Sequence, residues 1–253
     1  MFVAVWMIYA ADRLLDARAL DARALDASPS TAPDLEERHR FHHRHRNRFM
    51  AALAIAACAL VYLLPHITPR ALLLYTLLAT LLGTWLLFVH ARGHHGSAPR
   101  RLPKELAVGI FFSAAVFIPT VARAPWLQLT LLTPAALFAG LCALNCLFLY
   151  AWEHPQPRTS QQRTSKPRSS QLQAHWTTLW SVRHLPQLAI SLIALSLCAT
   201  ALTAAPRPPI LACALSTALL LLLHLARRRL SAVPLRAAAD AVLLTPLLFI
   251  LHR

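Results

Sequence analysis

Long apolar runs separated by basic loops restrict this chain more than any other feature. Clear runs cover about 49–64, 71–91, 105–122, 126–150, 185–204, 208–226 and 237–251. Crossing a hydrocarbon core of ~30 Å takes roughly 20 apolar residues in a helix. Backbone groups in lipid must be satisfied within the chain, so such runs fold as helices. Leu and Ala dominate them and strand-like alternation is absent, which excludes a membrane β-barrel. Hydrophobic residues make up 57% of the 253 positions and charged ones 14%, with only five glycines. The expected fold is therefore all-α: a polytopic integral membrane bundle of about eight helices, counting a short apolar start over residues 1–11. One transmembrane helical domain is expected over 1–253, with a basic loop or helix at 17–47 and a polar linker at 154–184, both cytoplasmic.

The net charge of +15 raises the question of nucleic acid, but the distribution of the cations answers it. The first, third, fifth and seventh connections carry nearly all of them, from Arg18, Arg23 and the Arg38–Arg48 run to Arg227, Arg228, Arg229 and Arg236. The opposite side holds Arg70, Arg123, Arg207 and the terminal Arg253. That bias is the positive-inside pattern, and it puts the odd connections in the cytoplasm. An anionic lipid surface accounts for the basic residues without a nucleic-acid partner. The pattern points to an integral protein of a bacterial inner membrane. The five cysteines all lie inside apolar runs and form no CxxC, as expected of small buried side chains. No basic region precedes the apolar start, so no signal peptide is expected.

The connections differ in kind. Prolines at 65, 69, 125, 206, 208 and 209 mark three tight outer turns. The inner connections are longer. The first contains a tandem pentapeptide, Asp16-Ala-Arg-Ala-Leu followed by Asp21-Ala-Arg-Ala-Leu, read as an inserted solvated turn. Asp34, with Glu37 three residues on, has the spacing of a helix cap. The Arg/His-rich stretch 38–48 reads as a membrane-surface anchor. Residues 155–173 have the composition of a polar linker.

Ionisable groups at membrane helix ends are functional candidates, and all of the strongest fall on the cytoplasmic side. Asp12 and Asp16 are four residues apart, hence on one helical face. Paired hard oxygens of this kind suit Mg2+, which is commonly shared between carboxylates and a substrate phosphate. Arg101 and Lys104 precede a span and offer cations to a diphosphate. Asn145, Leu149 and Glu153 share a face near the inner end of the 126–150 span, with Asn145 about two turns inside and Glu153 at the mouth. A packing Asn and an interfacial Glu are the alternative there. Asp240 has Arg236 at i−4, and an ion pair between them is expected. His90, His94 and His95 border a glycine-flanked inner loop.

An aspartate-rich helix end, two spans, a basic loop with Lys104, two more spans and a second polar helix end together resemble the UbiA-type intramembrane prenyltransferases. Asp12 and Asp16 match two positions of the family's first Asn-x-x-x-Asp-x-x-x-Asp motif, with Ile8 in place of the Asn. Asn145, Leu149 and Glu153 are spaced like its second motif but contain no Asp. The resemblance implies Mg2+ held by Asp12, Asp16 and Glu153, and an isoprenyl diphosphate bound by Arg101, Lys104 and Asn145. It further implies catalytic roles for Lys104 and Asp12, and transfer of the isoprenyl group to an aromatic or lipid-like hydrophobic acceptor. It also implies one further helix before the short apolar start. The alternatives are a non-catalytic membrane protein on the same scaffold and, more remotely, a small transporter. Transporter sites lie near the midplane, whereas these ionisable groups gather at one face.

Overall fold

The structure, a computed structural model, describes residues 46–91, 104–153 and 176–245. It is helical throughout those residues. The chain divides into two compact units, Met1–Leu72 and Leu73–Arg253.

In the first unit, α1 spans Arg46–Leu63 and closes in a 3-10 turn, Leu64–His66. Pro65 sits inside that turn, where its fixed φ is tolerated and its missing N–H costs nothing. The chain then enters α2, Pro69–Ala91, which belongs to the second unit from Leu73 onward. Proline again occupies the first helical position, as its geometry favours.

The second unit is built on α3 (Lys104–Arg123) and α4 (Gln128–Glu153), joined by a 3-10 turn at Pro125–Leu127. After these come α5 (Trp176–Arg183), α6 (Leu185–Leu202), α7 (Arg207–Ala226) and α8 (Ala232–Val242). Among the described residues, four stretches are long and apolar enough to cross a membrane: Glu105–Arg123, Pro125–Glu153, Leu185–Leu202 and Arg207–Ala226. The expected 49–64 and 71–91 runs are the helices α1 and α2. The last expected run, 237–251, is described only as far as Thr245, where α8 has already given way to a turn.

α4 is the centre of this unit. It packs against α3, α5, α6, α7 and α8. Its most apolar stretch is 61% buried, whereas that of α6 is only 17% buried. A helix that is apolar all round yet mostly exposed finds its complement in lipid. Exposed Ile190, Leu195, Leu197 and Leu202 on α6 are such a surface. The buried side of the bundle is formed by Leu141, Phe148, Leu185, Ile210 and Leu220, all fully excluded from the surface.

The α3–α4 hairpin is antiparallel and unusually close. Ser113 Oγ donates to the Ala135 carbonyl at 2.7 Å, and Gly109 lies against Ala139 and Ala143. Small residues at a membrane helix interface let two backbones approach, and hydroxyls then bridge them. Tyr75 on α2 ties in by donating its hydroxyl to the Ala115 carbonyl at 3.2 Å.

Candidate functional site at the end of the central helix

Because α3 and α4 run antiparallel, the first residues of α3 and the last of α4 meet at one end of the bundle. The start of α6, the end of α7 and the start of α8 arrive at the same end. Glu105, Asn145, Glu153, Thr178, His224, Arg236 and Asp240 are thereby gathered from five helices. Each expected position on α4 has a distinct setting. Asn145 is 5% exposed among apolar neighbours, Leu149 packs on the core, and Glu153 sits at the rim.

Glu153 is neutralised across the bundle. Arg236 Nη2 reaches its Oε1 at 3.0 Å, which links the start of α8 to the last residue of α4. The expected pairing of Arg236 with Asp240 on the same helix does not occur among these contacts. Asp240 instead lies near the side chain of Asn145. The exchange has a physical reason. Glu153 is the more buried carboxylate, with its side chain 16% exposed, and desolvation makes the nearby cation worth more there. Asp240 is open to the surface.

The remaining acid, Glu105, lies in the first turn of α3, where negative charge complements the helix dipole. Thr178 Oγ1 on α5 donates to its Oε2 at 3.1 Å. Both Glu105 and Asp240 act electrostatically on Cys146, the residue after Asn145.

Aromatic residues complete the end of the bundle. Trp152 Nε1–H donates to His224 Nδ1 at 3.1 Å, and Phe148 lies 5.2 Å from the same imidazole. With Nδ1 accepting, His224 carries its proton on Nε2. One buried polar atom has no partner among the described residues, the Oδ1 of Asn145.

Asp12, Asp16, Arg101, His94 and His95 lie outside the described residues, as do the pentapeptide repeat, the Asp34/Glu37 cap and the 155–173 linker. Lys104 is described as the first residue of α3. Thr178 and the His224–Trp152 bond were not legible in the spacing of polar residues. The available signals were Trp176 and Trp180 at i and i+4 in a segment read as linker, and a single His closing a leucine run.

The described donors alone do not fit a magnesium site. No group of three or more His, Cys, Asp or Glu among the described residues is arranged to hold a metal, and Glu153 is held by an arginine. Comparison with family models, curated proteins and solved structures finds no match for this chain.

Proposed function

We propose that this chain is a membrane transferase that moves an isoprenyl group from its diphosphate to a hydrophobic acceptor, on a UbiA-like scaffold. The observation that carries the reading is the position of polar side chains about two helical turns deep in the end of an apolar bundle. A carbocation formed there is shielded from water, while a charged leaving group stays near the rim. In the proposed reaction the allylic C–O bond breaks and its electron pair leaves with the diphosphate. The acceptor bonds to the allylic carbon and gives up a proton. Arg101 and Lys104, next to the start of α3, would hold the diphosphate and stabilise its developing charge, commonly the largest catalytic contribution. Asp12 and Asp16 would hold Mg2+ and make up for the unsuitability of the described donors, with Asp12 among the catalytic residues. We place this end in the cytoplasm of a bacterium, on the basic bias of the odd connections.

A second reading is favoured by the Glu153–Arg236 ion pair. A carboxylate tied to an internal arginine stitches helices together rather than receiving a metal. On that reading the chain is a non-catalytic membrane scaffold. The two are separated by Mg2+-dependent binding and turnover of a labelled isoprenyl diphosphate in detergent, with Asp12→Ala/Asp16→Ala as control. Metal-dependent turnover lost in the double variant supports the transferase. Absence of both binding and turnover leaves the scaffold.

A further inference from the structure

An open groove of about 410 Å3 runs along one side of the α7–α8 hairpin. Leu219, Leu222 and Ala226 line it from α7, and Ala238, Ala241 and Thr245 line it from α8. Spacings of three and four residues put each set on one helical face. The alanines of α8 end at Cβ, which leaves room beside the leucines of α7. Thr245 brings a hydroxyl to the lining, and that hydroxyl is paired with Ser216 Oγ. The side chains of the walls therefore offer hydrocarbon and no free hydrogen-bonding group.

Charge is concentrated at one end. Ala226 is the last residue of α7, and Arg227, Arg228 and Arg229 follow it in the turn to α8. Arg227 is drawn back onto its helix, where Nη1 donates to the His224 carbonyl. Arg228 and Arg229 are exposed and have no ion pair among the described residues. Arg236 is already committed to Glu153. Asp240 is the single acid between residues 207 and 245. It sits about 12 Å along α8 from the turn, at the helical rise. From Leu219 to Ala226 the groove extends about 10 Å on the same measure. It thus leads from a basic turn into the apolar body of the hairpin.

We infer that this groove takes one acyl chain of an anionic phospholipid whose phosphate rests on Arg228 and Arg229. Apolar walls that end at unpaired guanidinium groups complement an amphiphile of that build. Basic pockets between helices at the cytoplasmic face select anionic headgroups in this way. A zwitterionic lipid has the chain but no net charge to give the arginines. A second copy of this chain would bring the same arginines to the same end, where like charges repel. None of these residues belongs to the proposed transfer site, so lipid binding here is independent of isoprenyl transfer.

The test titrates the full chain in maltoside micelles with palmitoyl-oleoyl phosphatidylglycerol or the matching phosphatidylcholine. Bound lipid is counted by native mass spectrometry. The wild-type chain is expected to prefer phosphatidylglycerol by about thirtyfold, at roughly fivefold for each of two arginines. Arg228→Gln/Arg229→Gln, both at exposed positions, should erase that preference. Ala241→Trp fills the groove from an exposed position and should weaken both lipids by about tenfold, through lost apolar contact. Ala241→Leu is the smaller plug if the tryptophan variant does not fold. Equal affinities for the two lipids in the wild-type chain would overturn the inference. A preference that survives the arginine variant would overturn it too, and would move the lipid to another basic stretch such as 38–48. Affinities unchanged by the plug would overturn the groove as the seat of the acyl chain and leave it to the chain's own residues after 245.

Discussion

Arg236 and Glu153 join two helices that are far apart in sequence through an ion pair of 3.0 Å. The pair lies at the rim, with the arginine side chain 37% exposed and the glutamate 16%. Its strength should fall between the near-zero value of solvated pairs and the several kcal/mol of buried ones. Arg236→Ala is expected to destabilise the protein by about 1–2 kcal/mol, seen as a lower melting temperature in detergent. Glu153→Gln should cost less, because its amide oxygen still accepts from the guanidinium. The charge-swapped double variant should recover part of the loss, and failure to recover would remove the pair from the list of stabilising contacts.

Two glycines give opposite expectations. A Cβ on Gly109 would lie 2.4 Å from the Ala139 carbonyl oxygen and 3.1 Å from Ala143 Cβ. The obstacle is backbone, so the α3–α4 hairpin must open. Gly109→Ala is expected to cost about 1–3 kcal/mol, the usual penalty of overpacking. A Cβ on Gly83 in α2 meets nothing within 4 Å. Gly83→Ala should be neutral or stabilise by up to about 1 kcal/mol through helix propensity. Melting curves of the two variants side by side check both signs.

The Trp152–His224 bond gives a third test. Trp152→Phe preserves an aromatic ring against Phe148 but removes the donor to Nδ1. A loss of about 1 kcal/mol is expected. Trp180, which stacks on His184 at 4.6 Å but is exposed, is the control. Trp180→Phe should stay within about 0.5 kcal/mol of wild type.

Asn145 gives a fourth test. Asn145→Leu replaces an unpaired buried acceptor with an apolar side chain of similar size, and Asp240 stays exposed at the surface. A gain of about 1 kcal/mol is expected. Asn145→Asp puts a second carboxylate against Asp240 and should destabilise near neutral pH, because like charges oppose ionisation. A melting temperature lowered by the leucine variant would mean that the amide is a structural requirement.

Much of the helical framework was legible because membrane helices are written locally. Apolar length placed α1 to α4, α6 and α7 to within a few residues, and the prolines at 65, 125, 206 and 208 marked where they break; the polar helix α5 fell in a segment read as linker. On α4, the i, i+4, i+8 spacing was enough to put Asn145, Leu149 and Glu153 on one face. Their partners were not legible. Arg236 and Asp240 come from α8, and which of two carboxylates an arginine chooses depends on relative burial, which local spacing does not carry. Thr178 escaped notice for a related reason. A hydroxyl in a polar segment has no pattern of its own until Glu105 is brought beside it.

The central position of α4 also imposes an order in time. Its deepest polar group is made early, whereas the helix bearing Asp240 and Arg236 is made roughly a hundred residues later. At ~5–20 residues per second that interval is on the order of 5–20 seconds. Throughout it, Asn145 and Glu153 must be accommodated at the membrane without the partners they will finally have. The nascent α3–α4 hairpin, already closed by Gly109 and Ser113, is therefore the form in which these two polar groups first meet the membrane.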